Sequence, residues 1–278
     1  MNLFVYGTLC RGLSRNKILS ASQYLGLAHI DGALVDLGHY PGLIKGAESV
    51  IGEIYKIDPE ALLPRLDEIE GVNAADDKKS LYVRRKITAR LFSTGERLTA
   101  GAYFFNGSVK GRMVIPHGDY RRYQYGNEEG KSYYLAYGSN LSRARLEERV
   151  GSVDGAIKGV IPGYCLTYNK KPGNDNGFAY ANISAGIQGP DCPCAAYKLQ
   201  KSQIEKLDSF EGAKKKEYIR TVLPMAGENG GTLMGYVYIA HPDRLVFGRS
   251  PAEDYRSHLL QGYKEQGLGN LEDYECHT

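Results

Sequence analysis

The sequence predicts two tandem copies of one unit built from strands and short helices. Two repeated motifs and the chain length predict it. A strand-like run ends in Tyr-Gly, a small hydroxyl residue and Leu at Phe4-Val5-Tyr6-Gly7-Thr8-Leu9. It does so again at Tyr134-Leu135-Ala136-Tyr137-Gly138-Ser139-Asn140-Leu141. Downstream of each stands Leu-Asp-x-x-Glu-Gly, at residues 66–71 and 207–212. The copies lie about 130 residues apart, the size of a domain and not of a solenoid repeat. A chain of 278 residues accommodates two such domains. The boundaries expected are 1–125 for the first, 126–131 for a polar, glycine-bearing linker, and 132–278 for the second.

In chain order, residues 1–9 form a strand and turn, and 14–22 read as a short helix that Ser14 can cap, carrying Ile18 and Leu19. Residues 38–43 are a turn followed by an apolar step. Residues 49–57 alternate as a strand does. Asp58-Pro59 then opens a helix, with Asp as cap and Pro at the first position. Leu62, Leu66 and Ile69 fall at helical spacing and Gly71 stops it, while Pro64 is early enough to be tolerated. Strands follow at 82–87 and 98–105, and residues 117–120 close this half.

The second half repeats the plan. Residues 133–141 are strand and turn, and Ser142 can cap a helix bearing Leu146 and Val150. Residues 163–168, 178–183 and 195–199 read as strands. Ser202-Gln203-Ile204-Glu205 is a capping box, with Ile204, Leu207 and Phe210 as the buried stripe and Gly212 as the stop. Strands at 218–220 and 234–239 complete the unit.

Apolar residues (42%) and charged residues (24%) are in globular proportion. A net charge of +3 gives no basis for a nucleic-acid or membrane partner. Lys214-Lys215-Lys216 reads as a solvated loop. Tyr, at 22, far outnumbers Phe, at 7, and most of these tyrosines are expected half-buried on strands. No apolar stretch reaches membrane-spanning length, and the N-terminus runs straight into strand pattern. A cytoplasmic protein is expected. Five cysteines argue against a disulfide framework, and Cys192-Pro193-Cys194 has no second pair for zinc. Neither Cys10 nor Ser139 has the sequence context of an activated nucleophile.

Glycine in a strand-to-helix turn lets a ligand approach the backbone, and the amides that follow suit an anion. Glu70 and Glu211 come last in their helices, immediately before the terminating glycine. A carboxylate there faces the negative end of the helix dipole. With partial burial, its pKa rises and it becomes a serviceable general base near neutral pH. Asp67 and Asp208 suit a structural role, bonding the backbone of the next turn. An anion-binding turn plus one carboxylate, without a metal cluster or a nucleophile–His pair, fits a substrate that supplies its own nucleophile.

Together these motifs resemble the γ-glutamylcyclotransferase superfamily across nearly the whole chain. The second half is similar to γ-glutamylcyclotransferase itself through Tyr137-Gly138-Ser139-Asn140-Leu141, Leu207-Asp208-x-x-Glu211-Gly212, and Ser250-Pro251 through Tyr255, Gly262 and Gly267-Leu268. The first half is closer to the γ-glutamylamine cyclotransferase (AIG2-like) branch through Tyr6-Gly7-Thr8-Leu9, Tyr40-Pro41-Gly42, Gly52-Glu53-Ile54-Tyr55, Glu70-Gly71 and Gly118-Asp119-Tyr120.

The resemblance implies two α+β domains, each a bent, barrel-like mixed sheet with flanking helices. It also implies conversion of a γ-glutamyl amino acid, peptide or amine to 5-oxoproline and the free amine. Glu70 and Glu211 would then be the acid/base residues. Tyr6, Gly7, Thr8 and Leu9 would bind the glutamyl group in one domain, and Tyr134, Leu135, Ala136, Tyr137, Gly138 and Ser139 in the other. Tyr255 matches a substrate-contacting tyrosine. No metal or cofactor is implied, and the partner is a small γ-glutamyl molecule. The two turns differ, so the two sites need not share a substrate. The alternatives are a binding protein for a γ-glutamyl or other carboxylate ligand, and an amide hydrolase or acyltransferase using the same glutamates.

Overall fold

A computed structural model describes residues 1–126 and 130–276, in two units, Met1–Gln124 and Tyr125–Thr278. The first begins with β1 (Asn2–Val5), then β2 (Gln23–Asp36), β3 (Pro41–Lys56), α1 (Pro59–Ile69), β4 (Tyr82–Leu91), β5 (Arg97–Phe105) and α2 (Tyr120–Gly126). The five strands close a barrel in the order β1-β3-β2-β4-β5, antiparallel except for the β1–β5 contact at Leu3 and Gly101. Alternation along β1 explains its place. Phe4 points into a core with Ile30, Leu34, Val50 and Ile54. Leu3 and Val5 point the other way and pack with Tyr55, Ile57 and Leu66 of α1. Leu66 is fully buried, a side chain whose truncation to Ala costs about 2–5 kcal/mol.

The helix α1 starts as its sequence predicts. The Asp58 carboxylate accepts from the Glu60 N–H at 3.1 Å, and Pro59 occupies the first turn. Pro64 lies inside the helix without ending it. The expected helix over 14–22 is instead a single 3₁₀ turn, Asn16–Leu19, with Arg15 and not Ser14 at its N-terminus and no side-chain cap. That stretch has one fully buried apolar residue, Leu19, too little apolar stripe to hold a longer helix.

The second unit comprises β6 (Lys131–Ala136), α3 (Arg143–Val150), β7 (Ala156–Ile161), β8 (Tyr164–Lys170), β9 (Tyr180–Ala185), β10 (Cys192–Gln200), α4 (Lys201–Phe210), β11 (Tyr218–Gly227), β12 (Thr232–Ala240) and α5 (Glu253–Gln266). Its barrel runs β10-β6-β12-β11-β7, again with the first strand parallel to the last, at Tyr134 and Tyr236. The fold is thus α+β, one barrel per domain. The second domain adds the hairpin β8–β9 and the helix α5. No helix among the described residues is long and apolar enough to cross a membrane.

Three local expectations are corrected here. Ser142 stands at the N-terminus of α3, but its side chain makes no capping bond. The capping box of α4 is Gln200 with Gln203, so the helix starts ahead of Ser202. Phe210 is not part of the buried stripe: it is 59% exposed, with the Arg149 guanidinium 5.5 Å over its ring. Of the expected linker, Gly126 ends α2 and Lys131 opens β6, while residues 127–129 lie outside the described residues.

Helix α5 docks directly on the turn after β6. A Cβ on Gly262 would meet the Leu141 Cβ at 2.4 Å and the Ser142 nitrogen at 2.7 Å. Only glycine permits so close an approach. Gln266 Nε2 donates to Leu141 O (3.2 Å) and Tyr197 Oη (2.8 Å), and Glu265 accepts from the Arg143 N–H at 2.9 Å.

Candidate active site

In both domains the helix carrying Leu-Asp-x-x-Glu-Gly ends on its glutamate. Glu70 follows α1 at φ −85°, ψ 0°, and Glu211 follows α4 at φ −80°, ψ 0°. The next residue, Gly71 or Gly212, is left-handed at φ 62°, so the chain reverses at once.

Asp67 and Asp208 are structural, but not through the backbone of the next turn. The Asp67 carboxylate accepts from Tyr103 Oη (2.6 Å) and pairs with Arg84 (2.5 Å). Asp208 does the same with Tyr238 (2.9 Å) and Arg220 (3.1 Å). The backbone oxygens of Tyr103 and Tyr238 in turn accept from the turn tyrosines, Tyr6 and Tyr137, each at 2.6 Å. The same four-residue frame therefore ties the Tyr-Gly turn to the glutamate-bearing helix in each domain.

In the second domain the frame borders a cavity of about 820 Å³. Tyr134, Tyr137, Gly138, Ser139, Glu211 and Tyr255 all line it. Leu135 and Ala136 do not; both are fully buried in the barrel. The Glu211 side chain is 14% exposed and accepts from Asn140 Nδ2 (3.1 Å) and Arg149 Nη1 (3.2 Å). Burial pushes its pKa above the ordinary carboxylate value, against the opposing pull of Arg149 and Asn140. Asn140 also donates to Tyr134 Oη at 2.8 Å, and its Oδ1 accepts from Arg149 at 2.9 Å. Tyr255 Oη accepts from the Ala181 N–H at 3.2 Å, and burial pushes its pKa up to about 12, so the phenol stays neutral.

The first domain has a smaller cavity, about 220 Å³. Tyr6, Gly7, Thr8, Leu9 and Glu70 line it together with Arg15, Tyr40 and Tyr82. Burial raises the Glu70 pKa to about 7, with Arg15 the opposing charge. Leu3 stands three residues before the turn tyrosine, where the second domain has Tyr134, and Leu9 stands where it has Asn140. The amide relay to Glu211 thus has no counterpart on Glu70.

A model of the family described as gamma-glutamyl cyclotransferase, AIG2-like, matches residues 3–122 and again 134–257. The chain is a tandem member of that family. A Vibrio cholerae protein provisionally named gamma-glutamylcyclotransferase is 49% identical over 72 residues, 25% of this chain and 62% of that protein's length. The match therefore spans less than two thirds of that relative. The gamma-L-glutamyl-butirosin B gamma-glutamyl cyclotransferase of Niallia circulans is 36% identical over 107 residues, 38% of this chain and 67% of the other. The crystal structure of YkqA from Bacillus subtilis superposes with a TM-score of 0.68 over 95% of this chain and 91% of its own. At 20% identity, that likeness is one of fold.

Several contacts of this cyclotransferase-family chain carry no flag in sequence. Arg149 reaches Glu211 across the fold, 62 residues away in sequence, from the face of α3 that it shares with Arg145 four residues earlier. Arg15 belongs to a segment read as helix. In the first domain Glu53 and Arg121 form a fully buried ion pair, with side-chain exposures of 0% and 2%. Glu53 also accepts from the Arg11 N–H (2.9 Å) and Tyr55 Oη (3.0 Å), so the pair fastens the segment after the Tyr-Gly-Thr turn to the barrel wall. Cys10 lies beside it, and burial pushes its thiol pKa well up, which disfavours a thiolate nucleophile.

Proposed function

We propose that each domain is a γ-glutamyl cyclotransferase site, with Glu211 and Glu70 as the general acid/base residues. One observation carries this: in both copies a largely buried glutamate of raised pKa borders the same cavity as the Tyr-Gly turn.

The chemistry follows from that arrangement. The turns at Tyr6 to Leu9 and Tyr134 to Ser139 hold the glutamyl group folded over itself. The glutamate carboxylate takes a proton from the attacking α-amine as its nitrogen bonds to the γ-carbonyl carbon, closing a five-membered ring. The same proton passes to the departing nitrogen as the original C–N bond breaks. The products are 5-oxoproline and a free amine. Because the nucleophile belongs to the substrate, orientation supplies most of the acceleration, and well-placed intramolecular attack reaches effective molarities of about 10⁵–10⁸ M. Proton transfer adds about 10²–10⁴-fold.

The test is an end-point mass-spectrometric assay for 5-oxoproline. A panel of γ-glutamyl amino acids, peptides and amines is incubated with wild type, Glu70→Gln, Glu211→Gln and the double variant. The expected result is 5-oxoproline from wild type and none from the double variant. Release of glutamate instead marks a hydrolase, and intact ligand that binds tightly marks a binding protein.

A further inference from the structure

Arg145 is a cation in the second cavity with no acid to answer it. Arg145 and Arg149 project from one face of α3 into the cavity. Arg149 is engaged by Asn140 and Glu211. Arg145 instead directs its Nη1 at His258 Nε2 on α5, 3.1 Å away. Its buried Nε has no hydrogen-bond partner, and it forms no ion pair among the described residues. Burial first, and Arg149 second, make its own charge costly. Glu148, Asp254 and Glu211 are felt at a distance by this Arg–His pair without closing an ion pair with Arg145. His258 is held below its ordinary pKa by burial and by Arg145, which keeps it the neutral acceptor that aims the guanidinium.

A half-buried guanidinium with spare donors, in a cavity beside a reactive carboxylate, is built to receive a carboxylate. We propose that Arg145, positioned by His258, is a carboxylate subsite of the second cavity, and that it recognises a carboxylate of the γ-glutamyl substrate. The proposal rests on the cyclotransferase assignment above. Two carboxylates could reach it: the α-carboxylate of the glutamyl group, or that of a departing amino acid. The asymmetry between the domains favours the second. Both sites must hold the same glutamyl group, yet where α3 stands in the second domain the first has only the turn Asn16–Leu19. Arg15 is the only cationic residue lining its cavity among the described residues.

The test compares γ-glutamyl-alanine with γ-glutamyl-ethylamide, which differ only in the second carboxylate. Steady-state kinetics are run on the full chain carrying Glu70→Gln, with Arg145 intact, as Arg145→Gln and as Arg145→Lys. Calorimetric binding of both compounds is measured on the Glu70→Gln/Glu211→Gln protein, with and without Arg145→Gln. Thermal unfolding confirms that each variant folds.

For γ-glutamyl-alanine, Arg145→Gln is expected to raise KM about tenfold to a hundredfold, the loss of one charge-assisted contact. The expected kcat stays within about threefold, Arg145→Lys recovers part of the loss, and the affinity falls by the same factor as KM rises. Loss confined to γ-glutamyl-alanine assigns the departing carboxylate. Equal loss for both compounds assigns the α-carboxylate. Unchanged KM and affinity for both compounds overturn the subsite, as does a fall in kcat alone or no binding of either compound with Arg145 intact. If turnover is absent throughout, calorimetry still reads the subsite, so the two claims fail separately.

Discussion

Glu70 stores a measurable instability. Its pKa of about 7 lies well above the ordinary carboxylate value of 4.5, because burial penalises the ionised form more than Arg15 relieves it. Between those two values the folded chain binds a proton that the unfolded chain has released. Stability therefore falls as pH rises through this window, and above about pH 7 the fold carries the full cost of the ion. At 1.36 kcal/mol per pH unit, that cost is about 3 kcal/mol. Glu70→Gln cannot ionise and escapes it. The variant should match wild type near pH 4.5 and exceed it by up to about 3 kcal/mol at pH 8, about 10 °C in the melting temperature of a domain of this size. Scanning calorimetry of the full chain at about pH 5 and pH 8 reads this directly. First-domain turnover should rise with pH over the same range, since the ionised form is the base. An identical wild-type-to-variant difference at both pH values would refute the reasoning.

Other outcomes follow from named contacts. Glu211→Gln should lower second-domain turnover by at least about 10²-fold while leaving calorimetric affinity for a γ-glutamyl amine nearly unchanged. Arg121→Met leaves Glu53 as an unpaired buried charge, and urea unfolding should show the first-domain transition weakened by about 3–5 kcal/mol with the second unmoved. Gly7→Ala and Gly138→Ala should differ. A Cβ at Gly7 meets Pro41 at 2.9 Å and should cost about 1–3 kcal/mol, whereas at Gly138 the nearest atom is 3.4 Å away, so unfolding should barely shift. Phe210→Ala should change stability by less than about 0.5 kcal/mol, as expected of a side chain so exposed.

The duplicated plan was legible because its signals are local. The alternation of β1, the Asp58-Pro59 start of α1 and the glycines after Glu70 and Glu211 each act within a few residues. The misses have physical causes. The 14-residue strand β2 bulges between Tyr24 and Gly26 and again between Gly32 and Ala33, which breaks the two-residue alternation that marks a strand. The helix α5 carries Gly262 in its middle, a residue that weakens helical pattern and is there for close packing. The chemistry was half visible. Both glutamates and their turns stand in motifs, but Arg149 reaches Glu211 from 62 residues away and Arg121 reaches Glu53 from 68 residues away. No window of sequence shows a partner at that distance.

The docking of α5 on the segment 139–142 makes the two sites unequal in the order of synthesis. Every residue bordering the first cavity lies within the first 103 positions, so that site can assemble while the second domain is still being made. The second needs Tyr255 and His258, and its turn is braced by Gly262, Glu265 and Gln266, more than 120 residues after the turn itself. Until that helix leaves the ribosome, the Tyr-Gly-Ser-Asn turn lacks its brace and Arg145 lacks its His258 contact. A nascent chain would thus have its first site assembled before its second, and a stop codon after position 250 would remove the second site's brace while leaving the first pocket's residues untouched.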